Sequence, residues 1–306
     1  MEGKIVKSTG SWYTVRTNEG EMINCRIKGK FRLAGLKSTN PLAVGDLVVW
    51  EMEPNSENGI ITALHDRKNY IIRKSINLSK ETHIIASNID QAMLVITLIS
   101  PRTSTGFIDR FLLTAEAYHI PTIILINKID MFSSENEHFL KEFEDLYTGV
   151  GYPCHRVSGI TEKGIPELKE LLSNKTTLIS GHSGVGKSTL INKILPDSNI
   201  KTSEISKASD KGVHTTTFAE MFETVDNGFI IDTPGIREFG IVHFKKEDIS
   251  QYFVDMKPLI QNCRFNNCVH INEPGCAVIA AVESGEIASS RYQNYLSIYF
   301  NDNNRN

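Results

Sequence analysis

The chain has 306 residues, 40% hydrophobic and 23% charged, with a formal net charge of -3 at pH 7. This balance is that of an ordinary globular protein and excludes a disordered, collagenous or disulfide-scaffold chain; at roughly 100–200 residues per domain it predicts two or three domains. The mild acidity argues against a uniformly basic nucleic-acid binder, and no apolar run reaches the roughly 18–20 residues that span a bilayer. Met1-Glu2-Gly3-Lys4 has no apolar signal core, which predicts a cytoplasmic protein without a membrane partner. Five cysteines outside a secretory context predict free thiols or a metal site, not a disulfide framework.

Residues 1–66 predict four or five short strands. Trp12 to Thr17 is aromatic and β-branched and is bounded by Gly10 and Asn18-Glu19-Gly20. Residues 22–33 alternate polar and apolar. Gly45-Asp46 turns the chain into Leu47-Val48-Val49-Trp50-Glu51, and Asn58-Gly59 turns it into Ile60-Ile61-Thr62. Short strands without helical period predict a small β-barrel of the oligonucleotide-binding (OB) type. Arg26, Lys28, Lys30 and Arg32 fall at every second position, so a strand carries all four cations on one face. Such a face suits nucleic-acid phosphates and equally suits plain solvation.

From about 88 to 240, apolar strands alternate with amphipathic helices. Strands are expected at 92–99, 122–126, 155–157, 176–180 and 228–231, and helices at 107–119, 135–147 and 166–172. This alternation predicts an α/β domain with a mainly parallel sheet covered by helices. Residues 241–306 predict helices at both ends, the last over 287–299, around a cysteine-rich knot.

Gly181-His182-Ser183-Gly184-Val185-Gly186-Lys187-Ser188 matches G-x-x-x-x-G-K-[ST] between an expected strand and a helix opening at Thr189. The glycines turn successive N–H groups toward one point, and the helix N-terminus behind them favours an anion. Lys187 then reaches the β- and γ-phosphates and Ser188 ligates Mg²⁺. Asn127-Lys128-Ile129-Asp130 fits the guanine-reading motif. One carboxylate, Asp130, accepts both N1–H and N2–H of guanine, a donor pair that adenine lacks. Asn127 orients the loop, the Lys128 stem covers a base face, and Ser158-Gly159 backs the base. Asp232-Thr233-Pro234-Gly235 fits Asp-x-x-Gly, with Asp232 on Mg²⁺ through water and the Gly235 amide at the γ-phosphate. One of Thr215, Thr216 and Thr217 is expected to complete the Mg²⁺ shell.

Cys263-x₄-Cys268-x-His270-x₅-Cys276 places three thiols and one imidazole at the spacing of a closed tetrahedral zinc site. Four protein ligands leave no position for water, so one structural Zn²⁺ is expected. Cys25 and Cys154 are isolated and read as ordinary free cysteines.

The motif order is inverted, because 127–130 precedes 181–188 whereas ordinary GTPases carry the phosphate loop first. A parallel α/β domain tolerates permutation when its original termini lie close together. This order, Gly212-Val213-His214-Thr215-Thr216 and the flanking regions resemble the circularly permuted GTPases of bacterial ribosome biogenesis over nearly the whole chain. The resemblance implies an OB barrel at 1–66, a permuted P-loop GTPase domain at 67–240 and a helical zinc-binding domain at 241–306. It implies hydrolysis of GTP to GDP and phosphate, stimulated by the small ribosomal subunit. The implied partners are that subunit and its rRNA, met by a monomer. It also assigns the basic face at 26–32 to RNA, with Lys201, Lys207 and Lys211 as a second basic patch. Ile236 stands where many GTPases use a water-orienting glutamine. The resemblance implies that His214 positions the water instead, with Lys187 and Gly235 completing the catalytic set. Two other readings remain: a passive RNA-binding module using GTP as a structural ligand, and an ATP-using kinase, against which Asp130 argues.

Overall fold

The structure is a computed structural model that describes residues 1–27, 41–74, 82–195, 219–232 and 245–300. Five strands come first: β1 (Glu2–Ser8), β2 (Tyr13–Thr17), β3 (Met22–Ile27), β4 (Leu47–Met52) and β5 (Gly59–Leu64). They close into a ring in the order β1-β2-β3-β5-β4, with β4 pairing back onto β1. Only the β3–β5 pairing in this ring is parallel. The alternation of polar and apolar residues explains the closure. Tyr13 and Val15 of β2 point inward with Ile5, Cys25, Val48, Trp50 and Ile61, and Leu42 completes the core. The expected OB-type barrel is therefore present.

A hairpin of β6 (Tyr70–Lys74) and β7 (Thr82–Ser87) follows. It is not among the predicted elements, although both strands are rich in β-branched residues. Asp46 ties it to the barrel. Its fully buried carboxylate accepts from Arg67 Nε and Nη2, both at 2.7 Å, from Ser87 Oγ at 2.6 Å and from the Ala43 N–H at 2.9 Å. A buried carboxylate with this many donors is satisfied, and losing one partner leaves a costly charge.

Beyond the hairpin the chain alternates: β8 (Gln91–Ile96), α1 (Thr105–Ala117), β9 (Thr122–Ile126), α2 (Glu137–Val150), β10 (Cys154–Arg156), α3 (Ile165–Leu172), β11 (Thr176–Ser180), α4 (Lys187–Ile194), β12 (Glu220–Glu223) and β13 (Phe229–Asp232). Two 3₁₀ segments, Lys246–Tyr252 and Lys257–Asn262, then lead to α5 (Ala277–Ser284) and α6 (Ser289–Tyr299). β8, β9 and β11 are buried at every position, which is why none of them alternates apolar with polar residues as a half-exposed strand does. Ser104 caps α1 by accepting from the Phe107 N–H at 3.3 Å, so α1 opens two residues before the predicted start.

The chain divides into two compact units. The first comprises residues 1–93, 164–180 and 187–242. In it β11 lies parallel to β13, with Leu178 opposite Ile231, and β12 lies antiparallel to β13. β12 also pairs with β1, with Lys7 opposite Glu220. The barrel thus shares one hydrogen-bonded array with the α/β sheet of its unit. Arg16 reinforces the join through a two-pronged ion pair to Glu223 at 2.8 and 2.5 Å, and Lys4 sits 4.5 Å above the Phe229 ring.

The second unit comprises residues 94–163, 181–186 and 243–306. In it β9 lies parallel to β10, with Ile126 opposite Arg156. Its helices meet at Arg291, which is 2% exposed. Arg291 donates to both oxygens of Asp255, at 3.0 and 2.8 Å, and to Asp109 Oδ1 at 2.5 Å. Asn294 and Tyr147 donate to Asp109 at 2.6 and 3.0 Å. Burial pushes the Asp109 carboxyl up, and the adjacent guanidinium pulls against that shift. One ionic knot thus fastens α1, α2 and α6 together. Among the described residues no helix is long and apolar enough to cross a membrane.

Candidate functional site

Gly181 to Gly186 follows β11, and α4 opens at Lys187 as the motif requires. Ser188 and Thr189 lie in the first turn of α4, and Val185 is buried. Gly186 has φ +88°, and a Cβ there would lie 2.4 Å from Asn127 Nδ2. The glycine is needed because the asparagine of the other motif comes this close.

That asparagine is the hinge of the second loop. Asn127 is 3% exposed and lies just after β9. Its Nδ2 donates to the Val185 carbonyl at 2.7 Å, and its backbone N–H donates to Ile96 at 2.9 Å. Lys128 adopts a left-handed φ of 62° and its Nζ donates to the Ser100 carbonyl at 2.7 Å. Ile129 opens a short 3₁₀ turn that presents Asp130, whose carboxylate is exposed and accepts from Ser158 Oγ. Ser158 Oγ in turn accepts from the N–H groups of Ile160 and Thr161, at 3.2 and 3.1 Å. Asn127, Lys128, Ile129, Asp130, Ser158 and the glycine loop are therefore brought together within one unit. Gly159 lies in the Ser158 turn.

β9 and β10 deliver Asn127 and Ser158 from their carboxyl ends. In the first unit the parallel strands β11 and β13 run side by side, with Ser180 and Asp232 at their carboxyl ends. Ligand-binding crevices of open α/β sheets lie at such ends. Asp232 is the last residue of β13. His214, Thr215, Thr216 and Gly235 lie outside the described residues, as do Lys201, Lys207 and Lys211.

The cysteine-rich segment folds into a knuckle. One ligand atom from each of Cys263, Cys268, His270 and Cys276 falls within 4.8 Å of all the others. Cys263 Sγ is 3.6 Å from His270 Nδ1 and 4.0 Å from Cys276 Sγ, and His270 Nδ1 is 3.3 Å from Cys276 Sγ. Tetrahedral zinc, with bonds of about 2.3 Å to sulfur and about 2.0–2.1 Å to nitrogen, requires separations of this size. The donor chemistry fits too. Burial pushes the Cys268 thiol up to about 12 and raises Cys276, so the thiols stay protonated unless a cation draws the protons off. Burial also lowers His270, keeping the imidazole neutral as a ligand must be.

The knuckle has supports that the ligand spacing does not reveal. Glu273 accepts from the N–H groups of Val269, Ile271 and Asn272 at 2.7, 2.8 and 3.0 Å. Burial alone would raise its pKa, but these N–H bonds outweigh burial and hold the carboxyl below its usual range. Cys276 also caps α5, accepting from the Ile279 N–H at 3.4 Å, so the helix N-terminus faces the sulfur. From α6, Tyr292 and Tyr295 donate to the carbonyls of His270 and Val269 at 2.7 and 2.6 Å.

Residues 64–242 match the family model described as RsgA GTPase, and residues 2–61 match the RsgA N-terminal domain. The chain belongs to the RsgA GTPase family. It is 54% identical over 307 residues to the small ribosomal subunit biogenesis GTPase RsgA of Flavobacterium psychrophilum, covering 99% of this chain and 93% of that protein. Against the same-named protein of Bacteroides fragilis it is 52% identical over 299 residues, covering 97% and 96%. Among solved structures, YjeQ from Thermotoga maritima matches with a TM-score of 0.81 at 35% identity, covering 100% of this chain and 99% of that one. YloQ, described as a circularly permuted GTPase, matches with a TM-score of 0.78 at 29% identity, covering 100% and 96%.

Within this RsgA-family frame, the basic strand is described only in part. Arg26 lies on β3, half exposed and paired with Glu53. Lys28, Lys30 and Arg32 lie outside the described residues. Cys25 and Cys154 are free thiols, as expected. Residue type and spacing point to no role for Glu273, Ser100, Asp109 or Arg291. Only Glu273, placed between His270 and Cys276, carries a local signal.

Proposed function

We propose that this RsgA-family chain is a GTPase that binds the small ribosomal subunit, assists its late maturation and hydrolyses GTP to GDP and phosphate under stimulation by the subunit. The observation that carries this reading is the Asn127 amide bonded to the Val185 carbonyl. It joins the loop that fits the guanine-reading motif to the loop that fits the phosphate-binding motif. The names of the relatives supply the subunit.

In this reading the backbone N–H groups of Gly181 to Thr189, His182, Ser183, Gly184 and Val185 included, cradle the phosphates. Lys187 neutralises the charge that grows on the β- and γ-oxygens. Asp130 accepts two hydrogen bonds from guanine, Lys128 covers one face of the base, and Ser158-Gly159 supports the carboxylate. Ser188, Asp232 and one of Thr215 or Thr216 would hold Mg²⁺, which would offset phosphate charge. The Gly235 amide reports the γ-phosphate. The Ile236 side chain cannot hydrogen-bond a water, so unassisted turnover is slow and His214 positions the water in the stimulated reaction.

Residues 1–66 act as an RNA-binding barrel, with Arg26, Lys28, Lys30 and Arg32 toward rRNA. Residues 67–240 form the permuted GTPase domain. Residues 241–306 form a helical domain held by one structural Zn²⁺ on Cys263, Cys268, His270 and Cys276. The protein acts as a cytoplasmic monomer.

The test is GTP turnover with and without purified small subunits. Stimulated release of phosphate is expected, and an unstimulated rate would leave only a passive binder. His214→Ala should lose most of the stimulated rate while retaining GTP affinity. An unchanged stimulated rate removes His214 from the mechanism.

A further inference from the structure

The connection between β8 and α1 belongs to no nucleotide motif, yet it lies along the phosphate loop. Its ends are closed by two bonds: the Thr97 N–H donates to Thr103 Oγ1 at 3.0 Å, and the Thr103 N–H donates to the Thr97 carbonyl at 2.8 Å. Thr103 is 3% exposed, and its Oγ1 lies 2.7 Å from His182 Nε2. His182 Nδ1 lies 3.0 Å from the Ser183 carbonyl. A carbonyl only accepts, so this network assigns the imidazole proton to Nδ1. Nε2 must then accept, and the Thr103 hydroxyl donates to it. Every atom of this relay has a partner. Phe107 closes the far side, its ring edge-on to the imidazole at 5.6 Å and 89°. The same connection comes close to the rest of the site. A Cβ on Gly184 would lie 3.1 Å from Pro101 Cγ, and the Ser100 carbonyl holds Lys128 Nζ at 2.7 Å.

We infer that Thr103 and His182 are positioning residues that clamp the first half of the phosphate loop to the start of α1. The clamp fixes the Ser183 peptide, and with it the direction of the N–H groups that follow. An untethered glycine-rich loop must be ordered by the nucleotide at an entropic cost; a tethered one is ordered beforehand. Motif matching cannot find this, because His182 occupies a variable position of G-x-x-x-x-G-K-[ST] and Thr103 lies in a separate segment.

The inference rests on Gly181 to Ser188 being a nucleotide loop, and the experiment separates the two claims. Affinity for a fluorescent GDP analogue is measured on the full-length protein and its variants. Thr103→Val and His182→Ala should each weaken binding about tenfold, as expected when a half-buried imidazole or a buried hydroxyl loses its partner. The double variant should be no weaker than the poorer single one, because the two groups act as a unit. Thr103→Ser restores the hydroxyl and should recover affinity. His182→Gln places its amide near the Nε2 position and should recover most of it, while His182→Asn reaches only the Nδ1 position and should not. Wild-type affinity in Thr103→Val, or additive losses in the double variant, overturns the clamp. If Thr103→Val fails to fold, equal affinities for the Gln and Asn variants overturn it instead. Absence of GDP binding by the wild-type protein, with Lys187→Ala indistinguishable from it, overturns the nucleotide reading and the clamp together.

Discussion

The Cys₃His knuckle and the two motif loops both gather several polar groups, but over very different spans of chain. The knuckle draws all four ligands from residues 263–276. The proposed nucleotide motifs are spread over residues 127–235 of the sequence, and Asn127 and Gly181 directly follow strand ends. A short segment has little core of its own, so its geometry depends on turns, on N–H bonds to Glu273 and, in the proposed reading, on a metal ion. The strand-borne loops follow β9 and β11, which are buried at every position, so packing and not a ligand supports their bases. The contrast teaches that losing a ligand group should unfold the first kind of site and merely empty the second.

Cys276→Ser puts that contrast under the greatest strain. It should lose the bound zinc and expose residues 245–300 to hydrogen exchange, since structural zinc contributes on the order of 10 kcal/mol in small domains. Metal content and site-resolved exchange measure both, and retained zinc with normal protection would contradict the proposed ligand set. Arg291→Met comes next. It leaves Asp109 and Asp255 buried without their cation, a loss of roughly 3–5 kcal/mol that thermal unfolding reads directly. An unshifted midpoint would mean that the knot holds nothing.

Asp130→Asn should behave oppositely. Its midpoint should stay near wild type while preference for GTP over ATP falls on the order of 100-fold or more, as expected when a hydrogen-bonding reader is removed. Competition titration checks this, and retained discrimination would mean the motif is misread. The smallest effect is expected at the barrel surface. Replacing Arg26, Lys28, Lys30 and Arg32 by Glu should weaken subunit association and flatten its salt dependence by about one unit of slope per lost phosphate contact. Arg26→Ala alone should change stability by less than about 1 kcal/mol, because its bond to Glu53 is a surface ion pair.

The barrel was legible because alternation with period two is a local signal, and Tyr13 and Val15 sit inward as their spacing predicts. The hairpin β6–β7 escaped notice although Ile71, Ile72, Ile84 and Ile85 are β-branched, because its place depends on Asp46 and Arg67. α6 was legible as an amphipathic helix, but not as the carrier of Arg291. A buried arginine is recognised only through its partners, and Asp109 is 182 positions away in sequence.

Residue type and spacing were enough for the barrel class, the inverted motif order and the Cys₃His quartet, since each signal lies within a few neighbouring positions. Packing alone decided that Asn127 meets Val185, that β12 joins β1, that Tyr292 and Tyr295 brace the knuckle and that Thr103 meets His182. The first, second and last of these contacts join residues that no local periodicity relates, and even the knuckle braces depend on how α6 packs. They exist only once buried strands and capped helices have brought distant polar groups within bonding distance and removed the water that would otherwise satisfy them.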